Sequence, residues 1–321
     1  MTTVAALHLA LKSGMIRPTF AQEPLLLKAL IVTMRPRQWS KNGLLFLGLI
    51  FTINQYWRPF SPQMYQMLGM VVMAFLLFCL LSSSVYLIND LADIEKDRAH
   101  PTKRFRPLPS GQLSPTRALA AAAVLAIGGL AGSFYLGLTF GLVALLYLLT
   151  MLTYSFALKN MVLVDVLTIS LGFVLRAVAG AVVIAVPISP WLYVCTLLGA
   201  LFLGFSKRRH ELLLLNDQAT NHRQILKEYT PEFLEELITI VVSATIMAYS
   251  LYTFSAEGLP KNHAMMATIP FVLYGAFRYL YLVHLKNLGG SPEDILLSDK
   301  PILLDIALWV LSVSIILYFF R

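Results

Sequence analysis

Nine apolar runs, each near the length needed to cross a bilayer, constrain this 321-residue chain more than any other feature. They fall at approximately 38–55, 64–88, 115–134, 136–156, 162–185, 190–206, 236–255, 265–284 and 301–320. A hydrocarbon core of about 30 Å is spanned by roughly 20 helical residues, so runs of this length read as membrane helices. A mean hydropathy of +0.71 with 58% hydrophobic residues excludes an ordinary soluble globule. The predicted fold class is therefore an all-α polytopic membrane protein. Residues 1–34 form a cytosolic lead-in and 35–321 a single nine-span domain, without internal repeat or second domain. The lead-in lacks a basic stretch followed by a long apolar core, so it is not read as a cleaved signal peptide.

The distribution of charge tests this layout. With the N-terminus in the cytosol, 20 basic residues fall on the cytosolic side and only Arg58, Lys261 and Arg321 on the other, with Arg176 and Arg278 inside spans. Such asymmetry is what the positive-inside rule requires, and it places the C-terminus outside. The net charge of +8 is explained by these loops, so no nucleic-acid partner is expected. The small residues of the third run (Ala120 to Ala123, Gly128, Gly129) and the fifth (Gly172, Ala177, Ala179, Gly180, Ala181) are read as close helix packing.

The chemistry is concentrated after the second run. Asn89, Asp90, Asp93 and Asp97 are followed within ten residues by Lys103, Arg104 and Arg106. If the helix continues, about 100° per residue puts the three carboxylates on one face, where they repel unless a cation sits among them. Hard oxygen ligands suit Mg2+, with Mn2+ as a substitute, rather than zinc. The bases beyond supply charged donors for phosphate. A solvated mixed-charge loop explains the lysines but not the acid spacing.

Every other polar cluster lies on the same predicted face. Lys41 sits in Arg35-Pro-Arg-Gln-Trp-Ser-Lys-Asn42 at the start of the first span, where an interfacial anchor and a substrate contact are both open. Tyr154 and Lys159 close the turn after span four, and Asp165 lies just inside span five, where an ionisable group needs a partner or a cavity. Arg176 follows eleven residues later on the same helical face, as a site residue or as one half of an ion pair with another helix. Lys207 and Arg208 open the loop after span six and fit a phosphate or anionic lipid. The six histidines show no metal-ligand pairing, and Cys79 and Cys195 lie in apolar runs, where they pack. No nucleotide-binding loop, dinucleotide fingerprint or nucleophile elbow is present. Intramembrane Asp165 and Arg176 would also serve a transporter of anions, but transporters set their binding groups near the midplane in broken helices and repeated halves, whereas here most charge collects at one face and no repeat is seen.

The Asn89-Asp90-x-x-Asp93-x-x-x-Asp97 motif on the cytosolic side of a nine-span chain resembles the UbiA superfamily of intramembrane prenyltransferases. Four strings resemble its decaprenyl-phosphate phosphoribosyltransferase branch. They are Arg35 to Asn42, Asp97 to Pro107, Tyr154 to Lys159, and Pro292 to Asp299. The resemblance implies a UbiA-type helical bundle in the bacterial plasma membrane and a role in cell-envelope synthesis. It implies Mg2+ on Asn89, Asp90, Asp93 and Asp97, the three aspartates being catalytic. Phosphoribosyl pyrophosphate would be the donor and a polyprenyl phosphate the acceptor. The substrates would be held by Lys41, Lys103, Arg104, Arg106, Tyr154, Lys159, Asp165, Arg176, Lys207 and Arg208. The chain departs from the aromatic-acceptor members, which repeat a D-x-x-x-D pattern after span four; here that region offers only Asp165. That departure weighs against the alternative of prenyl transfer to an aromatic acceptor.

Overall fold

The computed structural model describes residues 23–187, 189–215, 224–286, 288–290 and 292–321. The first 22 residues of the predicted lead-in, and Arg223 among the counted bases, lie outside the described residues. The described chain is helical, apart from one isolated bridge between Ile53 and Trp57. In order it forms α1 (Glu23–Met34), a 3-10 helix (Pro36–Phe46), α2 (Leu47–Ile50), α3 (Pro62–Ala92) and α4 (Ile94–Ala99). Then come α5 (Pro115–Leu136), α6 (Leu138–Phe156), α7 (Val164–Val183), α8 (Pro190–Leu215), α9 (Pro231–Ser255), α10 (Ile269–Leu285), α11 (Pro292–Ser298) and α12 (Lys300–Phe320).

Among the described residues, eight helices are long and apolar enough to cross a membrane: α3, α5 to α9, α10 with the 3-10 turn Ala264–Thr268 before it, and α12. The chain is thus an integral multi-pass membrane protein. Several of these helices start with the same device. Ser61, Ser114, Thr230 and Asp299 accept a backbone N–H three residues on. In the first three a proline follows the cap directly, where its missing N–H costs nothing.

The first predicted span is built differently. It is no continuous α-helix but the 3-10 helix of 11 residues followed by the 4 residues of α2. At about 2.0 Å per 3-10 residue and 1.5 Å per α residue the segment covers roughly 28 Å, enough to cross where an α-helix of that length would fall short. Its two ends show that it does. Arg35 reaches Asp90 at one face of the bundle. At the other, Arg321 donates to the carbonyls of Phe51 and Ile53, and the Asn54 amide donates to the carbonyl of Tyr318. Nine traversals follow, with Arg35 and Arg321 at opposite faces.

Small residues allow this stretched segment to lie against α7. A Cβ added to Gly180 would sit 2.0 Å from the carbonyl oxygen of Leu45, and one added to Gly48 would sit 3.0 Å from the Cα of Ala181. The small residues of α5 divide by face. Ala118, Ala122 and Gly129 are buried, with Gly129 against Leu81 of α3, whereas Ala120, Ala123 and Gly128 point outward.

Candidate active site

A cavity of about 1990 Å³ runs through the bundle. Its mouth at one face is lined by Arg35, Asn89, Asp93, Asp97, Arg106 and Lys159, while its far end reaches Phe51, Tyr252, Trp309 and Arg321. Between them the walls become apolar, with Leu44, Leu47, Leu192 and Ile306. The space therefore joins a charged mouth to a greasy interior.

The acidic motif does not continue straight. Helix α3 ends at Ala92, Asp93 turns with φ −104° and ψ 9°, and α4 restarts at Ile94. The bend sends each carboxylate to its own base. Asp90 and Asp97 are buried. Arg35 donates to Asp90 at 2.5 Å. Arg106 Nη1 lies 2.7 Å from Asp97 and 3.5 Å from Asp90, so one nitrogen sits between two carboxylates. Lys159 donates to both oxygens of Asp93 at 2.8 Å. Among the described residues no three acidic, histidine or cysteine side chains converge as a metal site. The expected cluster is there in the sequence, but here the bases do the work of a cation. The place of Arg106 Nη1 shows that Asp90 and Asp97 approach closely enough to share one positive charge, and a hard divalent ion fits that donor set.

Other expected residues sort clearly. Lys41, Lys103, Tyr154, Arg176, Lys207 and Arg208 line the cavity. Arg104 does not; it is exposed, with its guanidinium 4.7 Å from the ring of Phe105. Asp165 is wholly buried behind the wall rather than in it. It accepts from Arg208 Nε at 2.8 Å and from the Tyr229 hydroxyl at 3.2 Å, and Arg208 also pairs with Glu211. The resemblance cast Asp165 as a substrate contact; the geometry makes it a residue that fixes Arg208. Tyr229 in turn accepts the backbone N–H of Leu163, and burial pushes its phenol up to about 12. It stays neutral and donates.

Sequence reasoning missed two residues of this architecture. Tyr229 lies in a loop with no motif to mark it. Asn42 closed a recognised string, yet nothing in that string revealed that it is fully buried and holds Arg176, accepting from its Nε at 2.7 Å. Arg176, expected three turns from Asp165 as a site residue or as half of an ion pair with another helix, bonds to neutral groups: Asn42, the Gly172 carbonyl and the Tyr147 hydroxyl.

A helical membrane bundle with an acid-and-base mouth over a hydrophobic chamber defines an intramembrane protein whose site is open to polar and apolar groups alike. Comparisons agree. The UbiA prenyltransferase family model matches residues 59–294. The chain is 34% identical over 289 residues to the decaprenyl-phosphate phosphoribosyltransferase of Mycobacterium tuberculosis, covering 90% of this chain and 94% of that one. It is 33% identical over 312 residues to the decaprenyl-phosphate phosphoribosyltransferase of Mycolicibacterium smegmatis, covering 94% and 96%. A solved UbiA homologue from Archaeoglobus fulgidus, bound to GPP and Mg2+, superposes with a TM-score of 0.68 at 19% identity over 90% of this chain and 99% of that one. This chain belongs to the UbiA prenyltransferase family.

Proposed function

We propose that the protein transfers 5-phosphoribosyl from phosphoribosyl pyrophosphate to a polyprenyl phosphate of the bacterial plasma membrane, releasing diphosphate. The observation that carries this reading is a cavity that joins a polar mouth rich in bases to an apolar interior, which suits one water-soluble and one lipid substrate. Extensive similarity to decaprenyl-phosphate phosphoribosyltransferases supports the choice of donor and acceptor.

Asn89, Asp90, Asp93 and Asp97 would hold Mg2+ at the mouth. Bound there, the ion would neutralise charge growing on the departing diphosphate. The remaining work falls to the chain. Arg106 and Lys103 face the diphosphate, and Lys159 and Tyr154, across the mouth, face the 5-phosphate. Arg208, fixed by Asp165, and Lys207 add charge to the same wall. The C1–O bond of the donor breaks with its electron pair leaving on diphosphate, and an oxygen of the lipid phosphate forms the new bond to C1. That phosphate is ionised at neutral pH, so positioning and electrostatics suffice without a strong general base. The excess of bases at the mouth supports a cytosolic active site.

Membranes containing the protein, incubated with phosphoribosyl pyrophosphate labelled in the ribose and a polyprenyl phosphate, are expected to move label into the lipid phase. EDTA should stop this transfer and Mg2+ restore it. Label that stays in water under all conditions refutes the activity, and full transfer in EDTA refutes the role of the metal.

A further inference from the structure

Arg176 is a buried cation near mid-membrane without a carboxylate beside it. Arg35, Arg106, Lys159 and Arg208 each face an acid, but among the described residues no carboxylate lies within 4 Å of Arg176. Its partners are all neutral: the Asn42 amide oxygen at 2.7 Å, the Gly172 carbonyl at 2.9 Å and the Tyr147 hydroxyl at 2.7 Å. The guanidinium also lies 4.7 Å from the Tyr147 ring and 5.5 Å from that of Phe173. These contacts lock its orientation. A guanidinium carries five N–H donors, and three bonds leave one N–H on each terminal nitrogen. An uncompensated charge at this depth is costly, and intramembrane charges of this kind mark ligand paths.

Its position selects the ligand. Asn42, which holds Arg176, also donates to Cys79 and Ser82 of α3, eight to eleven residues before Asp90. At 1.5 Å per residue that level lies roughly 12–16 Å below the aspartate mouth. Arg176 lines the cavity, and beyond it the walls include Leu47, Phe51, Ala181, Leu192, Ile306 and Trp309, with Gln55, Glu257 and Arg321 at the far end. A soluble phosphate has no reason to descend there, whereas an amphiphile can place its anion on the guanidinium and its chain among those side chains.

We infer that Arg176, held by Asn42 and Tyr147, binds the phosphate of the prenyl phosphate acceptor while the hydrocarbon chain occupies the apolar half of the cavity. This rests on the proposed transferase reading for the name of the acceptor, but the binding itself needs no turnover.

Dissociation constants of the purified, detergent-solubilised protein for farnesyl phosphate, farnesol and ribose 5-phosphate test the assignment, with the melting temperature measured alongside. Arg176→Gln is expected to weaken farnesyl phosphate at least tenfold while leaving farnesol and ribose 5-phosphate within twofold of wild type. Asn42→Asp keeps the shape of the network and places a carboxylate against the guanidinium. It should melt no lower than wild type and show the same selective loss, which settles the matter if Arg176→Gln fails to fold. Farnesyl phosphate binding within twofold of wild type in a folded variant overturns the inference, as does absence of farnesyl phosphate binding by the wild type or a loss confined to ribose 5-phosphate. Failure of label transfer from phosphoribosyl pyrophosphate would instead sink the transferase reading and leave the binding result standing.

Discussion

Asp165→Asn separates two roles for the acid on α7. If Asp165 holds Arg208, the substitution removes a charge from a buried pair but keeps an acceptor oxygen. Asp165 is wholly buried and Arg208 is 2% exposed, so solvent does not replace the lost interaction. A hydrogen bond to a charged group is worth about 1.5–3 kcal/mol, and losing one partner of a buried pair costs about 3–5 kcal/mol. Arg208 retains Glu211, and the amide still accepts from Nε, so the cost should lie near the lower figure, about 2 kcal/mol. Asp165→Ala leaves Nε and the Tyr229 hydroxyl without acceptor and should approach the higher one. The assay is thermal unfolding in detergent, paired with a titration of activity against Mg2+. Both variants should melt lower, in the order Ala below Asn, and turn over more slowly because Arg208 is no longer fixed. The Mg2+ concentration giving half-maximal rate should stay within twofold of wild type. A severalfold rise in that concentration, with unchanged melting, would show that Asp165 ligates metal and that its pairing with Arg208 is incidental.

Asp90→Asn, Asp93→Asn and Asp97→Asn should each abolish turnover while the protein still inserts and elutes as wild type; normal rates in any one of them removes that residue from the metal site. Lys159→Ala should raise KM for phosphoribosyl pyrophosphate about tenfold or more, equivalent to at least ~1.4 kcal/mol, with a much smaller change for the lipid; a rise confined to the lipid exchanges the assignments. A cysteine at the exposed Gln112 should react with a membrane-impermeant thiol reagent only in inside-out vesicles, and labelling of intact cells from outside reverses the topology. Gly180→Ala, whose new Cβ would press on the backbone of Leu45, should cost stability typical of overpacking, about 1–3 kcal/mol, read as a lower melting temperature, and unchanged melting would show that the first crossing is free to retreat.

The eight long spans were legible because a bilayer imposes one length and one polarity on every crossing segment. The first crossing was legible as a position but not as a conformation. Its residues Pro36 to Phe46 carry no periodicity that distinguishes 3-10 from α, and the glycine that makes room for it, Gly180, is more than a hundred residues away. The bend at Asp93 escaped for a related reason. Acid spacing fits one straight helix, yet three carboxylates are satisfied at lower cost when the chain turns and each meets a separate base.

That pairing is the part of the site a linear reading could not supply. Arg106 follows its partner Asp97 by only nine residues, so their proximity is written locally. Arg35 with Asp90, Lys159 with Asp93, Arg208 with Asp165 and Arg176 with Asn42 join residues 55, 66, 43 and 134 positions apart. Only the closed bundle brings them together, and in doing so it divides the bases into two kinds. Arg35, Arg106, Lys159 and Arg208 sit on carboxylates, and under the proposed function they would turn to phosphate oxygens as a cation takes their place on the acids. Arg176 lies below them on neutral partners, where an arriving anion displaces nothing. The mouth is thus suited to a metal-bearing diphosphate and the interior to a metal-free phosphate, which is the division of labour that a donor and a lipid acceptor require.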